Sequence, residues 1–114
     1  MTRKSPVLLP ETADALAVLG NQIRTARHER GWTAAQLAER LRVSVPTVLA
    51  LERGAPGTAI GTVFNAAVLA GVPLFGVEDR VELTKMRRRG EERLALIGQR
   101  VRPSAKERVD RHEF

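Results

Sequence analysis

The sequence has no cysteine and no tyrosine. The first absence excludes a disulfide scaffold, a zinc–thiolate site and a thiol nucleophile, and it fits a reducing compartment. Aromatic residues are scarce: Trp32, Phe64, Phe75 and Phe114 are all there are. No apolar run approaches the ~20 residues needed to span a bilayer. Near the N-terminus, Val7-Leu8-Leu9 is cut off by Pro10 and then by acidic residues, a poor match to a signal peptide. There is no glycine-rich phosphate loop. The two histidines, His28 and His112, have no matching ligand set. Neither catalysis nor a metal or other cofactor is therefore expected. At 114 residues the chain fits one small domain with accessory segments, and is too short for a two-domain enzyme.

What is present is positive charge and helical periodicity. Nineteen basic residues face 13 acidic ones, for a formal charge of +6. This suggests a polyanionic partner, although net charge bears on solubility and nonspecific binding rather than on fold. Residues 1–77 carry eight basic and five acidic side chains, and residues 78–114 carry eleven and eight. Each part thus contributes +3, which fits two separate contacts better than one.

Residues 1–12, with Pro6 and Pro10 and no periodicity, predict an extended arm. From 13 to 76 the pattern is amphipathic helix, glycine stop, polar start, with no strand-like alternation, so the fold class is all-α. The first helix is predicted over Asp14 to Arg30, burying Leu16, Leu19, Ile23 and Ala26, with Gly31 just past its end. Thr33 and Gln36 form a capping box, with Trp32 and Leu37 as its hydrophobic staple, so a second helix covers 34–41. Ser44 caps a third helix over 45–53, with Val43 and Val48 as staple and Pro46 where a missing N–H does no harm. Thr58 is the expected N-cap of a fourth helix running to Ala70, with Ile60, Val63, Phe64, Ala67 and Val68 on its apolar side. Leu74 and Phe75 are expected to close the core. One or two further helices are expected over 77–97, weakened by Gly90 and by Arg87-Arg88-Arg89. Residues 98–114 read as a flexible polar tail that orders on binding.

Two short capped helices joined by about three residues are the pattern of a helix-turn-helix, whose second helix enters the DNA major groove. Gly31-Trp32-Thr33, Gln36-Leu37-Ala38-Glu39-Arg40-Leu41, Val43-Ser44, Thr47-Val48 and Leu51-Glu52-Arg53-Gly54 together resemble the lambda-repressor-like (XRE/Cro) helix-turn-helix family over about 16–76. That resemblance implies a bundle of four to five short helices with a C-terminal helical extension. Leu19 to Arg24, Pro56 to Phe64, and Arg93 to Ile97 with Arg100 to Pro103 are similar to HipB-type antitoxins. Members of that group bind their own operator as homodimers and also bind a HipA-type kinase toxin. The resemblance implies a cytoplasmic repressor of double-stranded operator DNA, with no membrane partner, in a toxin–antitoxin operon.

The family pattern assigns base contacts to Val45, Pro46, Thr47 and Ala50. Three of these have no hydrogen-bonding side chain, and none is the Arg, Lys, Asn or Gln that bidentate base readout requires. Ala34 also departs from the family, which often has glutamine there. Val45 and Ala50 suit thymine methyls and Thr47 suits one base edge, leaving DNA shape to supply much of the selectivity. Phosphate contacts fall to Thr33, Ser44 and Thr58 at helix starts, where free N–H groups favour anions, and to Arg42 and Arg53. The resemblance places Arg27 beside Glu52 as a fold-holding ion pair. Leu94, Ile97 and Phe114 are the expected partner or dimer contacts. Two other readings stay open. One is a protein-interaction module that keeps the fold and binds DNA weakly, using Val45 and Leu49 as an apolar patch. The other is a stand-alone phage-type regulator with no toxin.

Overall fold

A proline at a helix start lacks an N–H that the first turn would leave unpaired anyway. The computed structural model describes residues 7–100, and its first helix, α1 (Pro10–Glu29), begins on Pro10. This corrects the expected arm, since residues 10–12 already belong to α1. The rest of the arm up to residue 6, the tail from 101 onward, His112 and Phe114 lie outside the described residues. The other elements are α2 (Ala34–Leu41), α3 (Val45–Glu52), α4 (Ile60–Ala70) and α5 (Arg80–Arg100), giving an all-α fold among the described residues. None of these helices is long and apolar enough to cross a membrane.

Local chemistry sets the boundaries of α2 and α3. The Thr33 N–H donates to Gln36 Oε1 at 2.8 Å, and the Gln36 N–H donates back to Thr33 Oγ1 at 3.1 Å. These reciprocal bonds satisfy two donors that a bare helix start would leave unpaired. Ser44 Oγ accepts from the Thr47 N–H at 3.2 Å and heads α3 in the same way. The chain turns between the two helices at Arg42, whose φ of 59° is left-handed.

The core sits where α1 to α4 converge. Ile23, Leu37 and Val48 are wholly buried, joined by Leu51, Val63, Val72 and a run of small residues that includes Ala66, Ala67 and Ala70. Burying each large aliphatic side chain contributes about 1.5–3 kcal/mol. Trp32 and Val43 pack against this cluster from the staple positions.

Three expectations about α4 are corrected. Thr58 is not its N-cap; Ala59 holds that position without a side-chain hydrogen bond. Ile60 and Val68 are exposed, and the buried side is Val63, Ala66, Ala67 and Ala70. Apolar residues nearly surround this helix, so composition does not identify the inward side. The alanines do, because they let α4 approach its neighbours closely. Phe75 is mostly exposed and sets its ring edge-on to Phe64, at 5.9 Å between centroids, while Leu74 packs on the core.

The chain divides into a unit ending at Gly76 and a second unit beginning at Val77. In the second, α5 is one continuous helix. It runs through Arg87-Arg88-Arg89 and Gly90 and takes in residues 98–100, which were expected in the tail. Interior glycine costs about 1 kcal/mol relative to alanine. The Arg87 Nη1–Glu91 Oε1 pair at 2.6 Å spans that turn and returns only about 0.3–0.5 kcal/mol.

Candidate nucleic-acid interface

A helix that reads DNA must be held firmly at the back and left open at the front. The back of α3 is held through Glu52, which is buried at the helix end. Arg27 Nε donates to Glu52 Oε2 at 2.6 Å and Arg27 Nη2 to Oε1 at 3.0 Å, a two-pronged pair. The third nitrogen, Nη1, donates to the Trp32 carbonyl at 2.9 Å. Both residues are only 5% exposed. The hydrogen bond that Arg27 donates to Glu52 raises the Arg27 pKa above its ordinary value. Burial opposes that shift and the Glu52 charge adds to it. Arg27 therefore stays charged, and it joins α1, α3 and the start of α2 through one side chain.

Two glycines complete the attachment. A Cβ at Gly20 would lie 2.5 Å from the Glu52 carbonyl oxygen and 2.8 Å from that of Leu51, so α1 meets the end of α3 backbone to backbone. Gly54 follows α3 at φ 76°, and a Cβ there would lie 2.9 Å from the Ala17 nitrogen and the Leu16 carbonyl carbon. Composition and helical periodicity did not reveal this use of Gly20. The available signal was a glycine inside an otherwise sound helix, where it needs a packing reason.

The front of α3 is its first two turns. Val45, Pro46 and Leu49 are exposed, and Thr47 and Ala50 are partly so. The four residues assigned to base contact thus share one accessible stretch. The Thr47 hydroxyl lies 2.9 Å from the Ser44 hydroxyl, so any base it contacts must share it with the cap. The face offers methyls and a proline ring, and Thr47 is its single polar side chain.

Around this face, Arg42 is exposed in the turn and Arg53 is exposed just after α3. Thr33 and Ser44 occupy the N-caps of α2 and α3, whereas Thr58, no longer a cap, lies in the loop before α4. One feature escaped sequence reading: two guanidinium groups lie over the Trp32 ring, Arg40 at 4.3 Å and Arg30 at 5.2 Å from its centroid. Such contacts fix arginines that would otherwise be mobile. Leu94 and Ile97 lie on α5, in the other unit, and both are exposed.

The left-handed turn at Arg42 allows a contribution to binding to be tested apart from stability. That conformation costs a non-glycine residue roughly 1–2 kcal/mol, and glycine gives back part of the relief through its greater unfolded-state freedom. Arg42→Gly is expected to stabilise the fold by about 0.5–1 kcal/mol while removing a cation from the exposed turn. Urea unfolding together with DNA titration checks both signs. A variant that is less stable would contradict the strain at this turn, and one that binds DNA as well as the native chain would show that Arg42 is not placed there for binding.

Residues 18–83 match the family model of a helix-turn-helix domain, a span of more than half the chain that runs from within α1 through α2, α3 and α4 into the start of α5. No curated protein and no solved structure matches the chain. With the two capped helices, the left-handed turn between them and the exposed start of α3, the chain belongs to the helix-turn-helix domain family.

Proposed function

We propose that the protein is a sequence-selective DNA-binding repressor of the XRE/Cro type, acting as a homodimer in the cytoplasm without enzymatic activity. The observation that carries this reading is the mounting of α3, pinned at Glu52 and open from Val45 to Ala50. In a homodimer two such helices enter successive major grooves about one helical turn apart, on a roughly palindromic site. Similarity of the outer segments to HipB-type antitoxins favours the antitoxin of an autoregulated toxin–antitoxin operon, with a kinase-type toxin as second partner. A kinase-like reading frame beside this gene, and its product retained by the native protein in a pull-down, test that assignment. Without such a neighbour, the stand-alone regulator is the better reading.

Phosphate contacts position the protein, and an apolar reading face selects for thymine methyls rather than for guanine. Replacing thymine by uracil at a contacted position removes one methyl. At about 0.8 kcal/mol per buried carbon, the expected loss is roughly fourfold in affinity per contacted thymine. Uracil substitution with no effect at any position would remove Val45 and Ala50 from base reading.

The exposed Val45, Pro46 and Leu49 also favour a second reading, in which this face docks a protein. The competing readings separate on one comparison, the duplex upstream of the gene against a scrambled duplex of the same composition. A repressor prefers the first, and an interaction module binds both weakly and equally.

A further inference from the structure

The apolar residues of α5 form a pattern that is symmetric about one residue. Leu83, Met86, Gly90, Leu94 and Ile97 lie at offsets of −7, −4, 0, +4 and +7 from Gly90. At about 3.6 residues per turn they fall within an arc of about 80°, one continuous stripe along the helix. Met86, Leu94 and Ile97 are exposed by 38%, 69% and 48%, and every described residue from Lys85 to Gln99 is exposed. The protein's own fold does not call for a glycine in the middle. A Cβ built at Gly90 meets no atom within 4 Å, so the missing side chain leaves room on the outer surface.

We propose that α5 pairs antiparallel with α5 of a second copy of this chain, the two-fold axis passing through Gly90. This deepens the homodimer reading given above and rests on it. The symmetry of the stripe selects the occupant. In that arrangement Gly90 faces Gly90 of the other copy, Met86 faces Leu94, and Leu83 faces Ile97, so each large side chain meets another and the two glycines let the backbones approach.

Helix dipoles favour the antiparallel sense, in which the positive N-terminal end of each helix lies beside the negative C-terminal end of the other. Arg87 and Glu91 lie on the same flank of the stripe and already pair within the helix at 2.6 Å. About a two-fold axis at Gly90, Arg87 of each copy comes on the same flank as Glu91 of the other, about 3 Å away along the helix axis, so one ion pair extends into a reciprocal set of four charges. On the opposite flank Arg89 and Arg93 bring like charges together, a cost that the apolar stripe must exceed. Two helices crossing this way form an isologous interface, in which the same surface serves both copies.

The absence of cysteine makes the test direct. In the full-length chain, Leu83→Cys and Ile97→Cys are made singly and together, then treated with a short thiol-to-thiol linker. Residues 83 and 97 of different copies lie side by side in the proposed pair, whereas two copies of residue 83 lie about 21 Å apart along the axis, beyond the linker. The double variant is expected to yield covalent dimers and neither single variant to do so. Gly90→Glu, which puts a better helix former in place of glycine but sets like charges on the axis, is expected to raise the dimer dissociation constant at least tenfold by sedimentation. Cross-linking of either single variant would overturn the antiparallel arrangement. A native dimer whose double variant does not cross-link would overturn this interface and leave the homodimer and DNA readings standing. A native chain that stays monomeric, free and on DNA, would overturn both the interface and the homodimer.

Discussion

Glu52→Ala is expected to lower the unfolding free energy by about 3–5 kcal/mol, because it strands the buried charge of Arg27. A small domain has only about 5–15 kcal/mol in total, so the variant should be partly unfolded at 37 °C. The size of the effect comes from burial rather than from the strength of the pair. Arg27 and Glu52 are each 5% exposed, and with the carboxylate gone Nε and Nη2 have no acceptor and little access to water. Replacing both residues with aliphatic ones of similar volume, Arg27→Met with Glu52→Leu, is expected to cost far less, since no charge is then left unpaired. Urea unfolding of the three variants checks this through the midpoint at unchanged slope. If Glu52→Ala costs less than about 1 kcal/mol, at the level of an exposed pair, the ion pair does not anchor α3. The same variant should weaken DNA binding even where it is folded, because the end of α3 would no longer be tied to α1.

Gly20→Ala is expected to be the second most damaging single change, against the intrinsic preference of helices. Alanine is favoured over glycine within a helix by about 1 kcal/mol, so the substitution would stabilise an exposed site. At Gly20 the new methyl would sit 2.5 Å from the Glu52 carbonyl oxygen and 2.9 Å from its carbonyl carbon. Both are backbone atoms, and neither can move without shifting α3. Overpacking of this kind costs about 1–3 kcal/mol after relaxation. Gly61→Ala is the matched control, because a Cβ there meets nothing within 4 Å. It should be neutral or slightly stabilising. Thermal unfolding that shows Gly20→Ala and Gly61→Ala shifting in the same direction would contradict the close approach of α1 to α3.

The parts of this fold that are legible in the sequence are those governed by neighbours along the chain. Thr33 with Gln36, Ser44 before Val45 and Gly54 after α3 depend on bonds within a few residues, and their boundaries follow from residue type. Positions decided by distant packing are harder to read. Ile60 and Val68 are as apolar as Val63, and only the three-dimensional arrangement leaves them outside. Thr58 has the chemistry of a cap, but the loop delivers Ala59 to that position. Arg87-Arg88-Arg89 with Gly90 looks like an interruption, yet α5 continues through it with a pair one turn apart. For the interface, the motif locates the exposed turns of α3, whereas the use of Gly20 and the placement of Arg30 and Arg40 over Trp32 depend on contacts between separate elements.

The central claim is that α3 reads DNA, and a salt titration of binding tests it most directly. Affinity is measured from 50 to 200 mM salt for the duplex upstream of the gene and for a scrambled duplex. Release of counterions from phosphates should make both affinities fall steeply with salt. The upstream duplex is expected to remain at least a hundredfold tighter throughout, because base contacts and DNA shape depend far less on salt. Equal affinities for the two duplexes at every salt concentration would contradict the account.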